Sequence, residues 1–514
     1  MPDTSNSLWD LFRTVADRVP HAVALRDEDL TLSYDQTLHR SADVGAALLA
    51  AGVVPGQAVL VSTDHTVQGV LALLATYAVG AVPVPVDPAC PTPRLHRTRE
   101  LCGASAALVD ETGQAALHRL GVPFVRVDTA VAPPRATGTP GPYAAAPTAY
   151  ILFTSGSSGD PKGVVVTQAN ILSLIDHADE WDTSTGDDVW ACFHAFTFDV
   201  SMWEIWRPLS LGAQIYVVPR AAQTDLRLAY SLLAERGVTS LGLTPTACRM
   251  FTERVAESGV PDRLARLLLA GERLDFASLK PFLPAVADRR LEIWNAYGPT
   301  EATVYATAHR ITADDIERET RSLIGRPLPG FGMRVHEPNA DGVGELWLTG
   351  PGVAAGYLGD GQLTQDRFPT GDGQRWYRTG DLVRDVGDGV LAFVGRSGGY
   401  FKVRGFRVEP GDIVAAVTAY PGIIDAAAVA LDTAYGQTLA CAVVRTPGNT
   451  VSELDLRRHL GRTLPSYVRP GRIIFTDRLP RLSSGKLDPL AVQHIIEDRI
   501  QTETSGGGPR TQPS

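Results

Sequence analysis

Several short segments carry residue types whose spacing suits the handling of charged groups. Tyr150 to Asn170 reads YILFTSGSSGDPKGVVVTQAN, an apolar strand that enters a loop of small and hydroxyl residues and then heads toward a helix. Such a loop can fold around phosphates. Gly156 and Gly159 let the backbone approach closely and present N–H groups as a nest, Thr154, Ser155, Ser157 and Ser158 add hydroxyl donors, and Lys162 adds a mobile positive charge. It is not a Walker A loop, because Pro161 precedes the lysine and Gly163 follows it where Ser or Thr is required. Composition alone leaves a flexible surface loop as an equal reading. FHAFTFDVSMWEIW, residues 193–206, sets Asp199 among aromatics, where a carboxylate is costly unless it meets a cation; a helix N-cap before VSMWEIW is the competing role. NAYGPTEATVYAT, residues 295–307, offers Thr300 and Glu301 at a turn, and magnesium prefers hard oxygen ligands such as the Glu301 carboxylate. In isolation that pair reads as a solvated turn. The same holds for Asp381 in YRTGDLV and for Lys486 in LPRLSSGKLD, which alone suggest a turn acid and a surface cation.

These residues need a large scaffold. At 514 residues the chain exceeds the roughly 250–300 at which single cores stop growing, so at least two units are expected. From about Leu8 to Ala130, helical stretches such as ADVGAALLAAG alternate with short apolar runs such as AVLVS and AVPVPV, the mark of a layered α/β unit. Residues 131–147 are rich in Pro, Ala and Gly and read as a surface connection. VWACFHAF, AQIYVV, RLLLAG, GELWLTG and GVLAFVG add further strands up to about Val394. Val67 to Val86 is the one membrane-like run, and its Gln68, Gly80, Pro83 and Pro85 favour a buried helix leading into a strand. With 47 Lys+Arg against 57 Asp+Glu, the net charge of −10 has the wrong sign for general capture of nucleic acid or an anionic membrane. Cys90, Cys102, Cys192, Cys248 and Cys441 lie far apart, without metal-ligand spacing, and read as buried thiols in a reducing cytoplasm. The start MPDTSNSLWDLF carries no secretion signal.

In its order, TSGSSGDPKG resembles the phosphate loop of the adenylate-forming superfamily. The likeness runs from LSYDQTLHRSADVGAALLAAGV through VGAVPVPVDPACPTPRL to LPRLSSGKLDPLAV, and the chain is most similar to the amino-acid-activating adenylation domains of nonribosomal peptide synthetases. The resemblance implies an α/β fold: a large N-terminal unit of several α/β and β-barrel subdomains over residues 1–395 and a small mobile α+β domain over 396–499; the composition of the end, 500–514, reads as a disordered tail. The resemblance also implies ATP and magnesium as cofactors. Thr154 to Gly159 and Lys162 then hold phosphate, Thr300 contacts it, Glu301 ligates magnesium, Tyr297 packs on adenine and Asn295 lies near the adenine edge. Asp381 takes both ribose hydroxyls, Arg396 reaches the ribose and phosphate region, and Phe393 replaces a tyrosine often found beside the ribose. His194 lies near the nucleotide and the substrate carboxylate, and Lys486 becomes the main transition-state stabiliser.

By the same resemblance Asp199 binds the ammonium of an amino acid, and the pocket comprises Asp199, Val200, Trp203, Gly242, Leu268, Ala270, Ala296, Val304 and Tyr305, closed by Lys486. Its walls are almost entirely neutral, which disfavours charged substrates. An aromatic or medium apolar α-amino acid is expected, with a β-amino acid, or an acyl- or aryl-CoA ligase using free coenzyme A, as the alternatives. The implied reaction is attack of the carboxylate on the α-phosphorus of MgATP, then transfer to the phosphopantetheine thiol of a separate carrier protein. No carrier domain is expected after Lys486. A cytoplasmic monomer or weak dimer is expected, with no nucleic-acid or membrane partner. One departure stands out: the family's hinge aspartate is Gly398 here, which leaves rotation plausible and the resting angle open.

Overall fold

The computed structural model describes residues 7–129, 147–154, 161–396, 401–403, 406–433, 436–481, 487 and 489–505. Ser155 to Gly159, Gly398, Lys486 and most of the 131–147 connection lie outside them. Two compact units result. The larger comprises Met1–Pro88, Leu95–Phe153 and Lys162–Gly398; the smaller comprises Gly399–Ser514 with the segments Ala89–Arg94 and Thr154–Pro161.

In the larger unit, β-branched and apolar runs bounded by Gly and Pro form strands, and the helices between them return the chain across the sheet. One sheet begins with Thr31–Ser33 at its edge and continues through Val23–Arg26, Gln214–Val217, Val189–Cys192, Ser240–Leu243, Arg266–Ala270 and Glu292–Tyr297. From Val23–Arg26 to Glu292–Tyr297 every pairing is parallel. The sheet continues antiparallel through Thr307–Ile311, Ser322–Pro327, Leu391–Arg396, Gln374–Asp385, Val343–Thr349 and Gly332–His336. A second, all-parallel sheet orders Val82–Pro85, Ala58–Ser62, Ala106–Val109 and Phe124–Arg126. The membrane-like run is the buried helix Val67–Ala78 followed by strand Val82–Pro85. Among the described residues no helix is long and apolar enough to cross a membrane.

Two local outcomes here differ from expectation. The phosphate-type loop leads from strand Thr148–Thr154 into a second strand, Lys162–Thr167, rather than directly toward a helix; the helix Gln168–Asp176 starts only after Thr167 caps it. The β-branched run Val164–Val166 explains this, since Val164 and Val165 pair with Tyr357 and Gly356. Cys192, Cys248 and Cys441 are buried thiols, whereas Cys90 and Cys102 are half-buried.

In the smaller unit, Ile423–Thr433, Gly436–Arg445 and Arg472–Thr476 form a sheet, antiparallel then parallel. Phe401–Val403 and Phe406–Val408 pair as a separate ribbon. Helices Pro410–Thr418, Glu453–Thr463 and Pro489–Ser505 complete it. The last helix corrects the expected tail, because it runs to Ser505. No Gly or Pro interrupts it before Gly506, and Ile500 packs on the apolar cluster around Val492 and Ile496.

Candidate active site

The pocket is assembled by strand register and one buried helix. On the parallel strands Gly242 lies opposite Leu268, Leu268 opposite Trp294, and Ala270 opposite Ala296. Positions two apart on a strand share a face, so these side chains line one wall. Helix Val200–Leu211 supplies Val200 and Trp203. The turn after Thr300–Ala302 supplies Val304 and Tyr305 under backbone strain. Thr303 (φ 53°) and Val304 (φ 71°) are both left-handed, which is rare for a β-branched residue and a frequent mark of functional sites. Gly298 makes room for that turn, since a Cβ there would meet the Val304 carbonyl at 2.2 Å. Val200, Trp203, Ala270, Ala296, Val304 and Tyr305 pack as one apolar cluster.

Asp199 sits at the head of the helix, 5% exposed, and its side chain makes no capping hydrogen bond. The competing N-cap role is therefore not what the carboxylate does. Burial, then the negative charges of Glu204 and Asp199, push the Tyr305 hydroxyl well above its ordinary value, which puts Tyr305 in the field of both acids.

Beyond Trp203 lies a narrow cavity of about 30 Å³. Of the residues expected in the pocket, Trp203, Gly242, Leu268 and Tyr305 line it, together with Trp181, Asp182, Trp190, Trp294, Glu204 and Arg266, which sequence reasoning missed. Trp181 stacks on Trp203 at 5.1 Å, and Trp190 meets Trp203 edge-on at 6.1 Å. Glu204 corrects the expectation of neutral walls. Its Oε2 accepts the backbone N–H groups of Phe193 and His194 at 2.9 Å each, and its Oε1 lies 2.7 Å from His194 Nδ1. These partners explain how an acid stays buried there. The room left by Gly242 is not free volume, since a Cβ there would lie 2.7 Å from Glu204 Oε1. A lone Glu inside the apolar helix run VSMWEIW was the legible signal, because a buried acid requires partners.

His194 is thus held by Glu204, and its carbonyl oxygen lies 2.9 Å from His65 Nε2. The other nitrogen of His65, Nδ1, lies 2.7 Å from the Val218 carbonyl, so this ring ties the end of the second sheet to the main one.

Two of the residues expected to meet the nucleotide, Tyr297 and Arg396, gather around a second acid. Asp381 is fully buried: Tyr297 donates its hydroxyl to Oδ2 at 2.5 Å, and Arg396 Nε lies 2.7 Å from Oδ1. Asp381 and Arg396 are cross-strand partners, and Phe393 lies three residues before Arg396 on the same strand. Burial first, then Asp381, push the Tyr297 hydroxyl well above its usual value. Asn295 is buried and gives its side-chain N–H to the Leu323 carbonyl at 2.6 Å. Thr300 opens the short turn that carries Glu301. Glu301 is 1% exposed and accepts the Tyr357 hydroxyl at 2.7 Å. Among the described residues no group of three or more His, Cys, Asp or Glu could hold a metal. A single carboxylate still fits magnesium, which takes one or two protein carboxylates and completes its shell with phosphate oxygens and water. Thr154 ends one strand and Lys162 begins the next.

A model of the AMP-binding enzyme family matches residues 12–358, and that of the AMP-binding enzyme C-terminal domain matches residues 413–486. The chain is similar to malpinin synthetase of Mortierella alpina, with 34% identity over 95% of this chain and 7% of that one. It is similar to syringomycin synthase SyrB1 of Pseudomonas syringae pv. syringae, with 32% identity over 94% of this chain and 80% of that one. The chain spans only 7% and 23% of the length of two of the curated relatives it matches. Among solved structures, holo-PA1221, an NRPS protein containing adenylation and PCP domains, superposes with a TM-score of 0.79 at 26% identity, over 95% of this chain and 84% of that one. The o-succinylbenzoate CoA synthetase of Bacillus subtilis superposes at 0.83, over 96% and 99%, with 20% identity, a likeness of fold alone. With both family models matching in order along its length, the chain belongs to the AMP-binding enzymes, as an adenylate-forming ligase.

Proposed function

We propose that the chain activates a neutral amino acid with ATP to give the aminoacyl adenylate and pyrophosphate, then hands the acyl group to the phosphopantetheine thiol of a separate carrier protein. The buried Asp199 carboxylate carries this reading: it heads a helix without capping it and adjoins an apolar pocket, as an ammonium anchor must. The carrier role draws support from the adenylation and PCP domains that holo-PA1221 combines. The apolar cluster around Val200, Trp203 and Ala296 suits the stem of a neutral aromatic or medium-sized side chain, and a β-amino acid requires only a small shift of the ammonium relative to Asp199.

In the first step two anions must meet. Lys486, with the 155–159 loop and Lys162, offsets their charge and orients the substrate carboxylate for attack on the α-phosphorus, with pyrophosphate leaving. Glu301, oriented by Tyr357, would hold magnesium, which when bound would neutralise phosphate charge. Asp381 takes the ribose diol by exchanging Tyr297 and Arg396 for the two hydroxyls. His194, locked by Glu204, borders the substrate carboxylate. Arg396 stands just before Gly398, where we place the pivot of a small mobile domain beginning at residue 396.

Amino-acid-dependent ATP–pyrophosphate exchange tests the reading. Asp199→Ala is expected to abolish it; unchanged exchange would mean a substrate without an amine. Offering free coenzyme A beside a phosphopantetheinylated carrier protein separates carrier loading from the CoA-ligase alternative.

A further inference from the structure

The chemistry of the cavity beyond Trp203 narrows the substrate. Trp181, Trp190 and Trp203 all line it, and the buried indole N–H of each has no hydrogen-bond partner. Trp190 and Trp203 are only 6% and 3% exposed. An indole N–H donates and cannot accept. Folded proteins leave few buried donors unpaired, so three around one cavity indicate that an acceptor belongs there. Glu204 stands in the same lining with the opposite need. A carboxylate has about four acceptor positions. The Phe193 and His194 N–H groups and His194 Nδ1 use three of them, and Oε1 can accept one bond more.

We propose that the enzyme selects an amino acid whose neutral side chain ends in a group that both donates and accepts a hydrogen bond, a hydroxyl or a carboxamide, read by these indoles and by Glu204. This rests on the adenylation reading above and deepens it. Other tips fail for stated reasons. An alkyl tip leaves donors and acceptor unpaired. A carboxylate meets Glu204 and Asp182 as like charges, and the one cation among the described residues of the lining, Arg266, is already engaged by Asp188 and Ser240. An ammonium satisfies Glu204 but accepts nothing from the indoles. The free space of about 30 Å³ suits one small polar tip, since a single water needs about 10–15 Å³ on the same measure.

The test is ATP–pyrophosphate exchange by the full chain over matched pairs: tyrosine against phenylalanine, threonine against valine, glutamine against norleucine, and the corresponding β-amino acids. In the pair that fits, the polar member is expected to lead in kcat/KM by at least about a hundredfold, as sites built to pair a substrate hydroxyl reject the analogue lacking it. Trp190→Phe and Trp203→Phe keep an aromatic side chain and remove the donor, and each is expected to shrink that ratio at least tenfold. Both members are measured on one preparation, so loss of folded enzyme cancels. Equal or better use of the apolar member overturns the proposal while leaving amino-acid adenylation standing. A preserved ratio in both variants also overturns it. Exchange with no amino acid at all removes the adenylation reading, and this inference with it.

Discussion

Glycine 242 shows how one missing methyl shapes the site. A Cβ there would stand 2.7 Å from Glu204 Oε1, and Glu204 cannot swing aside without losing three donors. Gly242→Ala is therefore expected to destabilise the protein by about 1–3 kcal/mol, the usual cost of overpacking, visible as a lower thermal midpoint. It should also impair exchange through His194. The burial of Asp199 was legible from its aromatic neighbours. Glu204's position was not, because it depends on the helix bringing this carboxylate against Gly242 and the Phe193 and His194 N–H groups, which no local pattern reports.

At the level of elements, Gly325 shapes the antiparallel part of the main sheet, where strand Ser322–Pro327 lies between Thr307–Ile311 and Leu391–Arg396. It has φ 77° at a register shift between Leu323 and Gly325, and a Cβ would fall 1.8 Å from the Ala308 carbonyl oxygen. Asn295 and Thr307 bond the neighbouring carbonyls of Leu323 and Ile324. Gly325→Ala combines a left-handed backbone with a clash against main chain, so a loss above about 3 kcal/mol is expected, measured by chemical denaturation. His65 adds a pH dependence where the two sheets are tied together. Burial pushes its pKa below the ordinary 6.5, against the pull of two carbonyls and of Glu204, while Arg220 nearby adds to the lowering. The unfolded chain then binds the proton more readily than the fold. Stability is full above about pH 6.5 and declines as pH falls through the depressed folded value. Thermal midpoints between pH 7 and 5 should fall for the wild type and fall less for His65→Gln.

Over the whole molecule, the larger unit holds its own apolar cores, and Lys486 belongs to the smaller unit. Lys486→Ala is expected to slow adenylate formation at least tenfold, about 1.4 kcal/mol of barrier, without moving the larger unit's melting transition; single-turnover and calorimetric measurements check both. Alternation of apolar runs with Gly and Pro was enough to read the α/β layering and most strands, since hydrophobic period and turn chemistry are local properties. The order of short motifs was enough to read the family, because nucleotide chemistry needs particular side chains at particular places along the chain. The interior of the pocket could not be read this way. Trp181, Trp190, Trp294 and Glu204 lie on separate segments of the chain, and strand register and helix packing alone bring them within reach of one another. The partners of a buried donor or acid depend on such long-range contacts, so the character of this cavity is a property of the folded chain.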